Sequence, residues 1–279
     1  MTTEEAMHTF ETPGPVNLRV ELWQGSVDVT ADDTQTTTVE LRGDQDLIDS
    51  AKVEQRGDQI DVLIPKIKSG LFRRGAEVDA RIVVPRQSNA RVETASADIR
   101  THGDLGDVDA ASGSGDVEID EATEADVRTG SGDIAVRVVH GNCNTKSGSA
   151  EVTLGKISGD CDVLSGSGDV LIDEVVGKVK IKAGSGDIIL KTCGDGVDAM
   201  AGSGDLLLKR VDRGRVKAKT GSGDVTVGVA DGTAAYLDVS TVTGDVSSEL
   251  DGTESPVEGE LTAEIFIQTG SGDVVLQRA

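Results

Sequence analysis

The sequence predicts an all-β protein: a single-stranded parallel β-solenoid, or β-helix, of about ten rungs of ~18 residues behind an N-terminal β cap or small sandwich. Three observations carry this expectation. A Gly-Ser-Gly-Asp corner recurs at nearly constant spacing. The residues between corners alternate apolar and polar. Aromatic residues make up only 2% of the chain, so a core must be built in thin layers of Val, Ile, Leu and Ala.

Aligned on the residue after the corner, an acidic column reads Asp98, Asp116, Asp133, Glu151, Asp169, Asp187, Asp205, Asp224, Asp245 and Asp273. Its steps are 18, 17, 18, 18, 18, 18, 19, 21 and 28 residues, the last two lengthened by insertions near 230–235 and 250–260. After each acid an apolar pair straddles one variable residue, as in Val170 and Ile172, Ile188 and Leu190, Leu206 and Leu208. Period two means a strand with one buried face. A second alternating run follows a looser turn, as in Val179, Ile181 and Ala183. It ends in a small residue before the glycine, giving the column Ser112, Thr129, Ser147, Ser165, Ala183, Ala201 and Thr220. Small side chains fit the inside of a sharp bend, and the glycines beyond it permit backbone angles closed to other residues. Eighteen residues hold two or three short strands but no additional helix. Identical positions therefore stack at about 4.8 Å per rung, and parallel crossovers favour right-handed coiling.

The first ninety residues lack the corner but still alternate, in "VNLRVEL", "GSVDVT", "TTVELR", "QIDVLIP" and "EVDARIVVP". Residues around Leu47 to Val53 suit a helical turn. The expected organisation is a flexible terminus over 1–15, an all-β cap continuous with the coil over 16–89, and the repeat solenoid over 90–279. Caps are needed because a bare end rung is an unpaired strand edge. The loop "PKIKSGLFRRG" sets Lys66, Lys68, Arg73 and Arg74 around Leu71 and Phe72, either as a solvated hairpin loop or as a contact patch.

The net charge of −23 repels phosphate backbones and anionic surfaces, which argues against nucleic acid as a partner. No apolar run is long enough for a membrane span, and the acidic start does not read as a signal peptide, so the expected location is cytoplasmic. Three cysteines, an odd number, fit no disulfide framework. Cys143 and Cys161 fall in the column of Val179 and Val197, and Cys193 in that of Val175, so all three read as small core residues.

The acid column is the strongest candidate for chemistry. In-register carboxylates about 5 Å apart repel by about 1 to 3 kcal/mol per pair. Calcium shared between rungs would relieve this, with Asp169, Asp187, Asp205 and Asp224 as candidate ligands beside the serine ladder. Backbone N–H groups of the corner would relieve it too, leaving turn chemistry and no metal site as the default. The calcium-binding nonapeptide repeat matches the rung length but not the grammar, since the glycine-rich corner comes once per rung. Catalysis needs a constellation that breaks the repeat, and these acids only repeat, so no enzyme, catalytic residue or cofactor is expected.

The "SGSGDV" rungs, the lead-in "VPRQSNARVETASADI" and the strand "GSVDVT" resemble the bacterial putative-adhesin β-strand-repeat family, a domain of unknown function related to the toastrack domains. The resemblance spans about Val16 to Leu276. It implies a β-solenoid with no known activity and no catalytic residues. Relatives are often secreted or membrane-anchored. The resulting expectation is a non-enzymatic interaction or scaffold module with an unidentified protein partner. Its faces would carry Arg128, Arg137, Lys180, Lys182, Lys191, Lys209, Lys217 and Lys219. It would be a monomer or self-associate end to end through the last strand, "SGDVVLQ".

Overall fold

The computed structural model describes residues 3–66, 76–250 and 261–279. It divides into two compact units, Met1–Val139 and His140–Ala279. Each is a parallel β-solenoid of two facing sheets; the repeat predicts this from residue 90 onward, and the parallel stacking already begins within residues 17–89.

The first unit contains β1 (Thr3–Glu11), β2 (Asn17–Leu22), β3 (Gly25–Asp32), β4 (Thr36–Asp44), α1 (Gln45–Ser50), β5 (Lys52–Arg56), β6 (Gln59–Leu63), β7 (Val78–Pro85), β8 (Asn89–Thr94), β9 (Asp98–Ser112), β10 (Val117–Thr129) and β11 (Ile134–Val139). One sheet runs β1, β4, β7, β3, then the first halves of β9 and β10, then β11. The other runs β5, β6, β2, β8, then the second halves of β9 and β10. From β7 and β6 inward every pairing is parallel. The antiparallel pairs, β1 with β4, β4 with β7 and β5 with β6, lie at the outer end. Residues 3–11, expected as part of a flexible terminus, instead form β1, which pairs with β4 through nine residue positions from Thr3 to Glu11. β1 has no strong apolar alternation because it is held by backbone hydrogen bonds along a sheet edge. The helical turn is α1. Asp44 caps it, its carboxylate accepting the Leu47 N–H at 3.3 Å, and Leu47 and Ile48 are buried.

The second unit contains β12 (Cys143–Ser149), β13 (Val152–Ile157), β14 (Cys161–Ser167), β15 (Val170–Val175), β16 (Val179–Ser185), β17 (Ile188–Cys193), β18 (Val197–Ser203), β19 (Leu206–Val211), β20 (Gly214–Ser222), β21 (Val225–Val229), β22 (Thr233–Thr243), β23 (Val246–Ser248), β24 (Leu261–Ser271) and β25 (Val274–Arg278). Two strands make each rung. Even-numbered strands stack in one sheet and odd-numbered strands in the other, all parallel and in register except for a shift between Leu208 and Val211 where β19 meets β21. The inward columns are apolar, as in Val170, Ile188, Leu206 and Val225, all at most 1% exposed. Burying one such side chain contributes about 1.5–3 kcal/mol, and each rung repeats the contribution. Cys143 and Cys161 lie in the Val179 column and Cys193 in the Val175 column, all buried.

The rungs do not stack in chain order at the far end of this unit. β20 pairs with β24, and β24 with β22; likewise β21 pairs with β25, and β25 with β23. The last stretch of chain thus inserts between two earlier rungs. The last strand is an interior strand, paired on both sides, so end-to-end pairing through "SGDVVLQ" is ruled out by the fold. The 21- and 28-residue steps mark a skipped position and the return that fills it, rather than decoration on an ordered stack.

Candidate functional site: corner ladders and an outward face

The corners explain the acid column. At Gly204 the backbone φ is +129°, and a Cβ there would lie 2.1 Å from the carbonyl oxygen of Gly186 on the adjacent rung. Only glycine lets the chain turn this close to its neighbour. The next residue, Asp205, donates its N–H to Oδ1 of Asp187 at 2.8 Å, and its own Oδ1 accepts the N–H of Asp224 at 2.8 Å. The same bond links Asp187 to Asp169 at 2.9 Å, Asp273 to Asp224 at 2.8 Å and Asp245 to Asp273 at 2.9 Å. The four candidates Asp169, Asp187, Asp205 and Asp224 therefore form consecutive steps of one ladder. All four residues are solvent-exposed, and each spends one carboxylate oxygen on an amide of the next rung. In the first unit the ladder runs through Asp98, Asp116 and Asp133, with bonds of 3.1 and 2.9 Å. Partial positive charge on each amide offsets part of the repulsion between neighbouring carboxylates, and water screens the rest.

Two parts of this chemistry were not read from the sequence. The first is that the ladder extends into the first ninety residues. Ser26 stands in register with both Asp79 and Asp98, and its hydroxyl donates to Asp79 at 2.7 Å. The signal was Gly25 before the alternating run, since it has a corner's φ of +122°. The second is that the opposite corner has its own ladder. Oδ1 of Asn142 accepts the Asp160 N–H at 2.9 Å, and Oδ1 of Asp160 accepts the Lys178 N–H at 2.8 Å. Asn89 does the same for the Asp107 N–H at 2.9 Å in the first unit. An Asn serves there as well as an Asp, so the role needs an acceptor and not a charge.

The outward side of the even-numbered sheet is zoned. One column reads Asn144, Asp162, Lys180, Asp198 and Lys217, alternating in sign. Lys180 meets Asp162 at 3.3 Å and Lys217 meets Asp198 at 3.7 Å. The adjacent column reads Lys146, Leu164, Lys182, Met200 and Lys219, with no acid in it. Its Leu164 is 47% exposed. On the other sheet Lys191 pairs with Asp173 at 2.6 Å. In the first unit Arg128 reaches Asp126 at 2.9 Å and Arg137 hydrogen-bonds to Asp120. The Arg137 guanidinium holds the Asp120 carboxyl below its ordinary range, aided by the Gly103 N–H.

The cysteines are placed for packing. The Cys143 thiol, hydrogen-bonded to Cys161, and burial together push the Cys161 thiol well above its usual range; burial does the same to Cys193. In the first unit a cavity of about 330 Å³ is lined by Leu22, Trp23, Leu47, Ile64, Pro65 and Ala95. The Lys66 ammonium lies 4.6 Å from the centre of the Trp23 ring. Lys68, Leu71, Phe72, Arg73 and Arg74 of the basic loop lie outside the described residues. Among the described residues no helix is long and apolar enough to cross a membrane.

Solved structures that match this chain include a "putative adhesin" from Parabacteroides distasonis, 12% identical with a TM-score of 0.45, covering 99% of this chain and 97% of that one. Another is a "putative adhesin" from Bacteroides fragilis, 13% identical with a TM-score of 0.41, covering 98% and 97%. A third is a "putative lipid binding protein" from Parabacteroides distasonis, 9% identical with a TM-score of 0.34, covering 99% and 96%. No curated protein matches the sequence. The model of the Toastrack DUF4097 family matches residues 17–277. That match takes in the strands from β2 onward, the corners and the inserted strands β24 and β25 together, and the chain belongs to the Toastrack DUF4097 family.

Proposed function

We propose that the protein is a non-enzymatic interaction module whose stacked rungs display the outward side of the even-numbered sheet to a partner protein with acidic groups beside apolar ones. The observation that carries this reading is the column Lys146, Leu164, Lys182, Met200 and Lys219. The neighbouring charged column neutralises itself rung by rung, whereas this one sets lysines two rungs apart, about 9.6 Å, with apolar side chains between them. In a chain of net charge −23 such a stripe gives electrostatic selectivity for acidic partners. The non-enzymatic reading rests on repetition: the corner carboxylates recur from rung to rung along ladders, each spending an oxygen on a backbone amide. In this reading residues 16–89 serve as the cap and 90–279 as the display surface. A cytoplasmic location belongs to the same proposal, supported by the free thiols of Cys143 and Cys161 on adjacent rungs, which suit a reducing compartment.

The test is a bait comparison in lysate of the native host. The variant K146E/K182E/K219E should keep the wild-type melting curve and lose a partner that the wild type retains. A partner held equally by both ends this reading. The calcium alternative assigns Asp169, Asp187, Asp205 and Asp224 as ligands through their remaining oxygens. Millimolar calcium followed by chelator should leave the melting temperature unchanged if the ladder is corner chemistry. A shift of several degrees installs the cation reading instead.

A further inference from the structure

The last rung of the second unit leaves its core open. β22 pairs with β24 along its whole length and β23 pairs with β25, and among the described residues no strand pairs with the other edge of either. Leu237 occupies the inward column of Val216 and Ile265, both 0% exposed, yet is itself 43% exposed. Val246 occupies the column of Val225 and Val274, also both 0% exposed, yet is 49% exposed. On the outward side of β22, Tyr236 is 69% and Val242 83% exposed. Across its eleven residues β22 carries one charge, Asp238, and no Lys, Arg or Pro. Natural sheets protect a free edge with such residues, and this edge has almost none.

We propose that this rung is a homodimer interface, with β22 pairing antiparallel to β22 of a second copy about a two-fold axis through Val239. Three features select this occupant. First, the exposed core belongs to both sheets at once, since Leu237 lies in one and Val246 in the other. A single added strand covers one and leaves the other wet, whereas a second copy presents two sheets at the same separation. A two-fold perpendicular to the sheets aligns both.

Second, the strand is complementary to itself in one register. Centred on Val239, inward residues meet inward ones, Leu237 against Thr241 and Val239 against its own copy. Outward, Tyr236 meets Val242, an aromatic–β-branched pair of the kind that stabilises sheets. The lone charge, Asp238, meets Ser240. Centring one residue earlier sets Asp238 against Asp238, and one residue later sets Asp238 against Val242 and Tyr236 against Gly244. A half-step shift turns the inward faces outward. Third, the pairing consumes the free edge, so it closes at two copies and grows no further. The interface uses none of the lysines of the outward column, which reaches it only at Ser240 beyond Lys219 and Gln268, and it does not rest on the proposal above.

Sedimentation velocity on the full chain over a hundredfold concentration range tests it. The expected result is a monomer–dimer equilibrium that tightens with added salt, because two chains of −23 repel. Val242→Lys, at an exposed position, should leave melting unchanged and weaken the dimer by roughly tenfold or more. Ser240→Asp should weaken it and Ser240→Lys tighten it, since each faces Asp238 of the other copy. Val239→Cys should form a covalent dimer under mild oxidant while the wild type does not. A monomer at every concentration, growth beyond two copies, or Ser240→Asp and Ser240→Lys shifting the equilibrium the same way overturns the proposal.

Discussion

The outer end of the first unit and the last rung of the second unit meet the same problem in opposite ways. In the first unit, β1 covers the edge of β4 and β5 covers that of β6, both antiparallel. Between them α1 leads from β4 of one sheet to the edge strand β5 of the other and buries Leu47 and Ile48. In the second unit, β22 and β23 leave Leu237 and Val246 exposed in columns that are elsewhere dry. The difference teaches that a repeat can propagate a core but cannot end one. Every rung offers an edge identical to the one it covers, so closure needs sequence that breaks the period. The first ninety residues supply that break and the last rung does not.

The largest expected effect comes from making the same kind of cut on adjacent rungs of one column. Ile265→Ala, at a site 0% exposed, should cost about 2–5 kcal/mol, because the rungs on both sides prevent collapse of the cavity. Leu237→Ala, one rung out and 43% exposed, should cost about 1 kcal/mol in dilute protein. Urea unfolding at low concentration measures both. Equal losses would mean that the last rung is closed in solution even for the monomer, and the contrast between the two ends would fall.

A smaller contrast lies in the acid ladder. Asp205 accepts the Asp224 N–H, and removing that acceptor with Asp205→Ala should cost about 1 kcal/mol. Asp245 belongs to the open rung. It donates its N–H to Asp273 but stands at the end of the ladder, so Asp245→Ala should change stability by no more than a few tenths. Asp205→Asn should recover most of the loss, since an amide oxygen accepts the same bond, as Asn142 does for Asp160. Failure of the asparagine to recover stability would mean that the charge itself matters at the corner.

What could be read in advance follows from this physics. Where eighteen residues repeat, position in sequence becomes position in space, so the columns through Val170, Ile188 and Leu206 and the steps Asp169, Asp187, Asp205 and Asp224 were legible. Where the chain leaves that rule, sequence distance stops reporting neighbours. Ser26 sits beside Asp98 although the strands β4 to β8 lie between them in sequence. β24 enters between β20 and β22, an order that no local pattern encodes, because any rung of the repeat fits any gap. β1 escaped notice for the converse reason: an edge strand needs backbone partners more than an apolar face. The second ladder was hidden because its column mixes Asn142, Asp160 and Lys178, and only the acceptors among them act.

The smallest effect concerns the first unit alone. β10 shifts register against β9 between Ile119 and Glu121, and Asp120 sits at that irregularity. Its carboxylate accepts from the Arg137 guanidinium and, at 3.0 Å, from the Gly103 N–H. Arg137, then the Gly103 amide, hold the carboxyl below its ordinary value of 3.8. A depressed carboxylate stabilises the fold at pH values above that ordinary value. The stabilisation fades as pH falls through it and is gone below the folded-state pKa. The side chain is 34% exposed, so screening keeps the contribution to a few tenths of a kcal/mol. Arg137→Ala should therefore destabilise slightly at neutral pH and match the wild type once the carboxyl is protonated in both. Hydrogen exchange at Gly103 should report the same crossing locally, and a variant whose deficit persists unchanged into acid would show that Arg137 acts through packing of its stem instead of through the carboxylate.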